Sequence, residues 1–313
     1  NDGSTTVTIT DVNIPTGGSC STTSLPTTTT TFNVEPDPIT TGMNVSINDV
    51  CVGGSTTATV TSNLVNGNYL VTYNLSGANS ATGLTHTENL TNGNGNFDIT
   101  VAAGDIPNVG TTTLTITSVA YTTGQLCDVT GLSVSNTFEV EPLPVTTTLN
   151  LAVGDICPGE DATVNLTGSL VTGTYIIEYD LSGANTATSI TSDPVSITTG
   201  AGTFEIDNAN LSSSGTTTVT ITDVTYTTGQ QCTQGGLSAN TSFDIETAPV
   251  TTALAVNIAD VCAGDDATAS ITGNLIDGSY EFTYNLSGNN TATGLTATGT
   301  FSSGDGTGTF TIP

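Results

Sequence analysis

Tyr73-Asn74-Leu75-Ser76-Gly77-Ala78-Asn79 returns as Tyr179–Asn185 and once more as Tyr284–Asn290, where Asn289 replaces the alanine. The returns fall 106 and then 105 residues further along the chain. Other landmarks keep the same step. Asp49-Val50-Cys51 is repeated as Asp155-Ile156-Cys157 and Asp260-Val261-Cys262, and Thr113–Thr117 as Thr218–Thr222, with an earlier copy at Thr6–Thr10. Phe32, Phe138 and Phe243 each open the last apolar run of a copy. A period of this length is a whole domain and not one rung of a solenoid. Residues 1–36 therefore read as the C-terminal part of a repeat, 37–142 and 143–247 as two complete repeats, and 248–313 as the N-terminal part of another. The chain starts inside one strand-like run, Thr5–Thr10, and stops inside another, so a window cut from a longer polypeptide is expected.

Within a repeat the apolar residues alternate with polar ones, the period of a half-buried strand. In residues 37–142 seven such runs are present. Met43, Val45 and Ile47 mark the first, and Ala58 and Val60 the second. Tyr69, Val71, Tyr73 and Leu75 mark the third, and Leu84–Glu88 is a weaker fourth. Phe97, Ile99 and Val101 mark the fifth, while Phe138 and Val140 mark the seventh. The sixth carries Leu114 and Ile116, then changes parity to Val119 and Tyr121, which predicts a β-bulge. Seven short strands in a domain of this size predict an all-β chain of tandem immunoglobulin-like sandwiches. The chain has no Trp, so the tyrosine pair of the third strand is expected to fill the space that a core Trp takes in that fold. The repeats meet at 34–38, 140–144 and 245–249, short segments that contain Pro and no Gly/Ser run. A semi-rigid rod is expected.

Composition narrows the function. There is no Lys or Arg, 28 acids and one His, for a formal charge of −28. Only 9% of the residues are charged, against roughly 25% in ordinary soluble domains, so the charge reflects missing cations and not dense acids. No lysine can form a Schiff base and no arginine can clamp a phosphate. Nucleic acid needs a basic footprint, which is lacking, and no apolar run is long enough to insert in a membrane as a helix. Lysine–asparagine isopeptide bonds are likewise excluded. The abundance of Thr, Val and Ile and a mean hydropathy of +0.09 point away from disorder.

The six cysteines form two classes. Cys51, Cys157 and Cys262 follow the first strand of a repeat; Cys20, Cys127 and Cys232 follow the sixth. In a secreted chain disulfides are expected. With strands running alternately up and down, the loop after the first strand lies at the opposite pole from the loop after the sixth. A strand of about eight residues spans roughly 26 Å, and a disulfide needs Cα atoms within about 7 Å. The far pole of one repeat meets the near pole of the next, which predicts Cys51–Cys232 across the joint, with Cys20, Cys127, Cys157 and Cys262 partnered outside this window. Should the strand order depart from the immunoglobulin pattern, the within-repeat pairs Cys51–Cys127 and Cys157–Cys232 take its place.

The run Thr218–Val224, a polar turn, Cys232 and a closing strand Phe243–Glu246 resembles the repeats of giant cell-surface adhesins of gliding Bacteroidota (the SprB type). The resemblance covers the last third of each repeat. It implies an extracellular, cell-surface adhesin or filament carried on a long stalk, whose partners are neighbouring repeats and a surface ligand or glycan bound by regions outside this window. Two other readings compete: an array of carbohydrate-binding modules, and a self-assembling surface sheath.

Candidate chemistry is sparse. His86 has no counterpart in the other repeats and is expected as an exposed strand residue. No enzyme activity and no cofactor are expected. Asp155, Glu160 and Asp161, with Asp260, Asp265 and Asp266, lie in acidic loops that could hold Ca²⁺; the alternative is solvated turn acids. The Leu-Ser-Gly-Ala-Asn stretches at 75–79 and 181–185 could present amides and hydroxyls to a glycan, but they also have the composition that a turn requires. Asn74, Asn165 and Asn285 stand in Asn-x-Ser/Thr sequences, which matter only in a host that glycosylates them.

Overall fold

The computed structural model describes residues 2–13, 21–22, 28–91, 93–302, 304 and 306–313. Among them regular structure is all β, apart from two short 3-10 turns at Ala103–Asp105 and Asn208–Asn210.

The repeat 37–142 is a sandwich of two sheets. One has the order Phe97–Val101, Thr56–Thr61, Asn44–Ile47, that is, fifth, second and first strands. The other places the short segment Val50–Cys51 beside the seventh strand Asp128–Glu141, followed by the sixth, Gly110–Tyr121, the third, Gly67–Gly77, and the fourth, Ala81–Leu90. Neighbours are antiparallel except Val50–Cys51, which runs parallel to Val140–Glu141. The same order recurs in 143–247, where Asn150–Val153, Ala162–Thr167 and Ala201–Ile206 form one sheet. There Gly173–Gly183, Gly215–Tyr226 and Asn240–Ile245 carry the other. This strand order is that of an immunoglobulin-like sandwich.

Alternation in sequence becomes alternation in burial. Thr56–Thr61 and Phe97–Val101 bury every second residue, and the inward residues of both sheets meet in one core that includes Val45, Val60, Tyr69, Val71, Ile99, Ile116 and Val140. A second core gathers Leu151, Val164, Tyr175, Ile177, Phe204, Ile221 and Ile245. The register shift of the sixth strand lies between Ile116 and Ser118. It lets Ile116 and Val119 both face the core despite their odd spacing.

Tyr69 and Tyr73 are both buried, but they do not stack on one another. Four residues along a strand is about 13 Å, too far for ring contact. Tyr69 instead packs on Tyr121 of the sixth strand at 5.0 Å between centroids, and Tyr175 on Tyr226 at 4.9 Å.

The two end segments are partial. Gly3–Ile9 and Thr28–Val34 form an antiparallel pair with Gly3 opposite Val34. Residues 248–313 form a single five-stranded sheet around a smaller core of Ala269, Ile271, Leu275, Phe301, Phe310 and Ile312.

Candidate functional site

The two cysteine classes meet at the joint between residues 37–142 and 143–247. In the first of these repeats, Asp49 accepts the backbone N–H of Glu139 at 2.7 Å. Val50–Cys51 then pairs with Val140–Glu141, and the N–H of Val52 donates to the carbonyl of Glu141 at 2.8 Å. The loop after the first strand is thus laid against the end of the seventh, at the pole facing the next repeat. In that next repeat the sixth strand ends at Tyr226, whose N–H donates to the carbonyl of Cys232 at 3.1 Å. This closes the loop Thr227–Gln231. Cys51 and Cys232 are bonded, with Cα atoms 5.5 Å apart and 181 residues between them in sequence. The within-repeat pairs Cys51–Cys127 and Cys157–Cys232 are therefore not formed. The strand order holds to the immunoglobulin pattern, which puts the members of each such pair at opposite poles.

A second contact spans the same joint. The carboxylate of Glu141 accepts the backbone N–H of Gln230 at 2.9 Å. One joint earlier, Glu35 accepts the N–H of Gln125 at the same distance. These acids lie on the last residues of one repeat and reach the loop after the sixth strand of the next. The close approach explains the Thr-Thr-Gly-Gln sequence of both loops. Gly229 has φ +65° and Gly124 φ +78°, and a Cβ on either would overlap the glutamate. Glycine supplies both the left-handed backbone and the room. Tyr121 and Tyr226 begin these loops and tie them to the core through Tyr69 and Tyr175, whose hydroxyls donate to the carbonyls of Val65 and Val171 at 2.9 Å. Burial, followed by the neighbouring Tyr121 or Tyr226, raises the pKa of Tyr69 and Tyr175 above the usual 10. Deeper in the second core, burial and then the charge of Asp207 push Tyr179 up to about 12.

The remaining cysteines repeat these positions. Cys127 lies with its Sγ 3.7 Å from the carbonyl oxygen of Glu35, at the joint with the preceding segment. Cys157 and Cys262 are exposed, and all three are unbonded. Cys20 lies outside the described residues.

The acidic loops do not converge. Asp155 accepts the N–H of Asp244, Glu160 that of Cys157 and Asp161 that of Asn208. Each acid anchors a different stretch of backbone, as Asp49 does in the first repeat. Asp260, Asp265 and Asp266 are exposed. Among the described residues no group of three or more His, Cys, Asp or Glu side chains is placed to hold a metal.

The Leu-Ser-Gly-Ala-Asn stretches are built into the fold. Asn79 is buried. Its amide donates to the carbonyl of Asn108 and the hydroxyl of Thr112, and its oxygen accepts the N–H of Asn108, all at 2.8 Å. Asn185 does the same with Ser213 and Thr217. Each fixes the loop that leads into the sixth strand. Asn74 and Asn285 accept the N–H groups of Gly83 and Gly294, bracing the turn between third and fourth strands. His86 is half-buried and not exposed: its ring stacks on Phe97 at 5.9 Å and its Nε2 lies 3.2 Å from Glu88. The fourth strand folds over the edge of the core there.

Two groups of side chains were not singled out by sequence: the joint glutamates and the buried asparagines. The signal for both was recurrence. A glutamate closes the last strand of every repeat, and Asn79, Asn185 and Asn290 occupy one repeat position.

No family model and no curated protein matches the chain. Solved structures similar to it include an I-band fragment of titin, 13% identical over 86% of this chain and 87% of that one, with a TM-score of 0.36. A marsupial T cell receptor is 14% identical over 86% and 92%, with a TM-score of 0.34. A three-domain A-band-numbered fragment of titin is 13% identical over 87% and 86%, with a TM-score of 0.26. The immunoglobulin-like assignment rests on the strand order of the chain itself.

Proposed function

We propose that this chain is a load-bearing, non-enzymatic length of stalk in a secreted surface adhesin or filament, which projects a binding region carried elsewhere. The observation that carries this reading is the Cys51–Cys232 bond, which joins one repeat to the next and not one sheet to another within a repeat. A bond of that kind adds little to a single core but limits movement at the joint, and the Glu141 contact beside it acts in the same sense. Disulfides persist in oxidising compartments, which supports an extracellular site. The aromatic residues support a stalk over an array of ligand-binding modules: Tyr69, Tyr73, Tyr175, Tyr179, Phe138 and Phe243 are all buried, so both complete repeats lack an exposed aromatic platform for a sugar. The resemblance to adhesins of gliding bacteria extends the proposal to surface attachment during gliding.

The test is a pair of measurements on the oxidised chain. Images of single molecules are expected to show complete repeats in line with a narrow spread of joint angles. A glycan array is expected to show no binding by the repeats. Broadly scattered angles would remove the stalk reading, and glycan binding by an individual repeat would replace it with the binding array.

A further inference from the structure

Residues 248–313 present an open face, and residues 3–34 present a hairpin with nothing against it. In a complete repeat the third strand pairs on both sides, with the fourth strand and with the sixth. Gly278–Leu286 is the third strand of its repeat, and among the described residues it pairs only with Ala292–Phe301. Its other edge is free. The first strand is uncovered as well. Val256 is 59% exposed and Val261 51%, whereas Val45, at the repeat position of Val256, is 2% exposed. A groove of about 820 Å³ lies between these parts, lined by Ile258, Val261, Leu286 and Ile312.

The hairpin carries the elements that this face lacks. By repeat position Gly3–Ile9 is a sixth strand and Thr28–Val34 a seventh. Val7, Ile9 and Phe32 are 46%, 47% and 50% exposed, whereas their counterparts Leu114, Ile116 and Phe138 are 0%, 0% and 2% exposed. The same side chains are core in one setting and bare in the other.

We propose that the open face of residues 248–313 receives the Gly3–Ile9 and Thr28–Val34 hairpin of a second copy of this chain, joining copies head to tail through a shared sandwich. This is strand addition at a free sheet edge with a heterologous, open symmetry. The repeat sets the register. Leu114 faces Leu75 and Ile116 faces Tyr73, so Val7 of the incoming copy faces Leu286 and Ile9 faces Tyr284. Val140 lies parallel to Val50, so Val34 lies parallel to Val261. Asn290 is exposed, where Asn79 and Asn185 are buried on Thr112 and Thr217; the incoming Thr5 supplies that hydroxyl. The arrangement omits only the counterpart of residues 103–107 and 208–212, a short turn with one apolar plug, Ile106 or Leu211.

The cysteines support the same partner independently. The observed rule joins the first-class cysteine of one repeat to the second-class cysteine of the next. Continued across the shared sandwich, it brings Cys262 of one copy to Cys127 of the next and, by sequence position, Cys157 to Cys20. All six cysteines then have partners. Bond formation removes a proton from each thiol and passes two electrons to a disulfide oxidant such as oxidised glutathione, which is cleaved to two thiols as the Sγ–Sγ bond forms. The charge of −28 opposes approach of two copies, so added salt strengthens the association.

The test uses the full 313-residue chain at 0.15 M salt or above, with oxidised glutathione present. Light scattering behind size exclusion is expected to show a ladder of oligomers that grows with concentration. Mixing ¹⁴N- and ¹⁵N-labelled copies is expected to give mixed-isotope Cys127–Cys262 peptides. Val7→Asp with Ile9→Asp changes residues that are already exposed and leaves the complete repeats intact. That variant is expected to lose the ladder while retaining its Cys51–Cys232 bond. A wild-type chain that stays monomeric at about 100 μM would assign the face to sequence following residue 313 and overturn the proposal. Oligomers that persist in the double variant would overturn it equally.

Discussion

At the joint around Glu35, one carboxylate holds the loop of the next repeat through the N–H of Gln125, and Cys127 faces the joint unbonded. At the joint around Glu141 the same carboxylate contact is present at the same 2.9 Å, and Cys232 is bonded to Cys51. The second joint is the first with a covalent bond added. The comparison separates two functions. The glutamate aligns the loop on the end of the preceding strand, using a surface hydrogen bond to an ionised acceptor worth about 1.5–3 kcal/mol at most. The disulfide does not set that alignment, since the loop takes the same form without it. It limits how far the joint can open, and it changes the path that tension takes through the chain.

The largest expected effect follows from that path. In the oxidised chain pulled from its ends, tension crosses from Cys51 to Cys232 and bypasses the 181-residue separation between them. At about 3.3–3.6 Å per extended residue that is roughly 600 Å of hidden length. Force spectroscopy is expected to record this length only after reduction or in Cys51→Ser. Its appearance in the oxidised wild type would show that the joint is not bonded as described.

A smaller effect distinguishes the two joints directly. Gly124→Ala and Gly229→Ala each place a Cβ against a glutamate at positive φ. The left-handed backbone alone costs about 1–2 kcal/mol for an L-residue, on the order of a tenfold change in local opening. Hydrogen exchange at Gln125 is expected to accelerate about tenfold in Gly124→Ala. Gln230 in Gly229→Ala is expected to respond less, because Cys232 still holds its loop. Equal acceleration at the two sites would deny the disulfide any part in keeping the loop docked.

The smallest effect treats the joints alike. The tyrosines beneath both loops, Tyr69 and Tyr175, have raised pKa values from burial, and Tyr179 stands at about 12. The neutral phenol is favoured in the folded state, so the stability this contributes is complete below pH 10. It is lost as pH rises from 10 through the folded values. Absorbance at 295 nm is expected to show these tyrosines ionising late, together with alkaline unfolding. Ionisation of all eight near pH 10 with the fold intact would contradict the packing of both tyrosine pairs.

Much of this was legible in the sequence, for physical reasons that apply unevenly. Alternation of Val, Tyr and Ile with Thr marks a strand because burial follows the same alternation. The bulge showed as a change of parity between Ile116 and Val119. The disulfide was accessible because two cysteine classes and two poles leave few pairings. The joint glutamates were not, because their partners are backbone N–H groups, which carry no sequence signal. A Glu beside Pro reads as a solvated linker acid. The acids at 155, 160 and 161 misdirect for the same reason: their spacing resembles a metal loop, while their partners are three separate amides. Tyr121 beneath Tyr69 and Phe97 beneath His86 are contacts across strands, which no pattern along one strand contains.

The most direct test is disulfide mapping of the oxidised, alkylated chain. Trypsin has no site in it, since Lys and Arg are absent, so cleavage at acidic residues is required. The account predicts a cross-linked peptide pair containing Cys51 and Cys232 that separates on reduction. A pair containing Cys51 and Cys127 would contradict the strand order, the poles and the joint together.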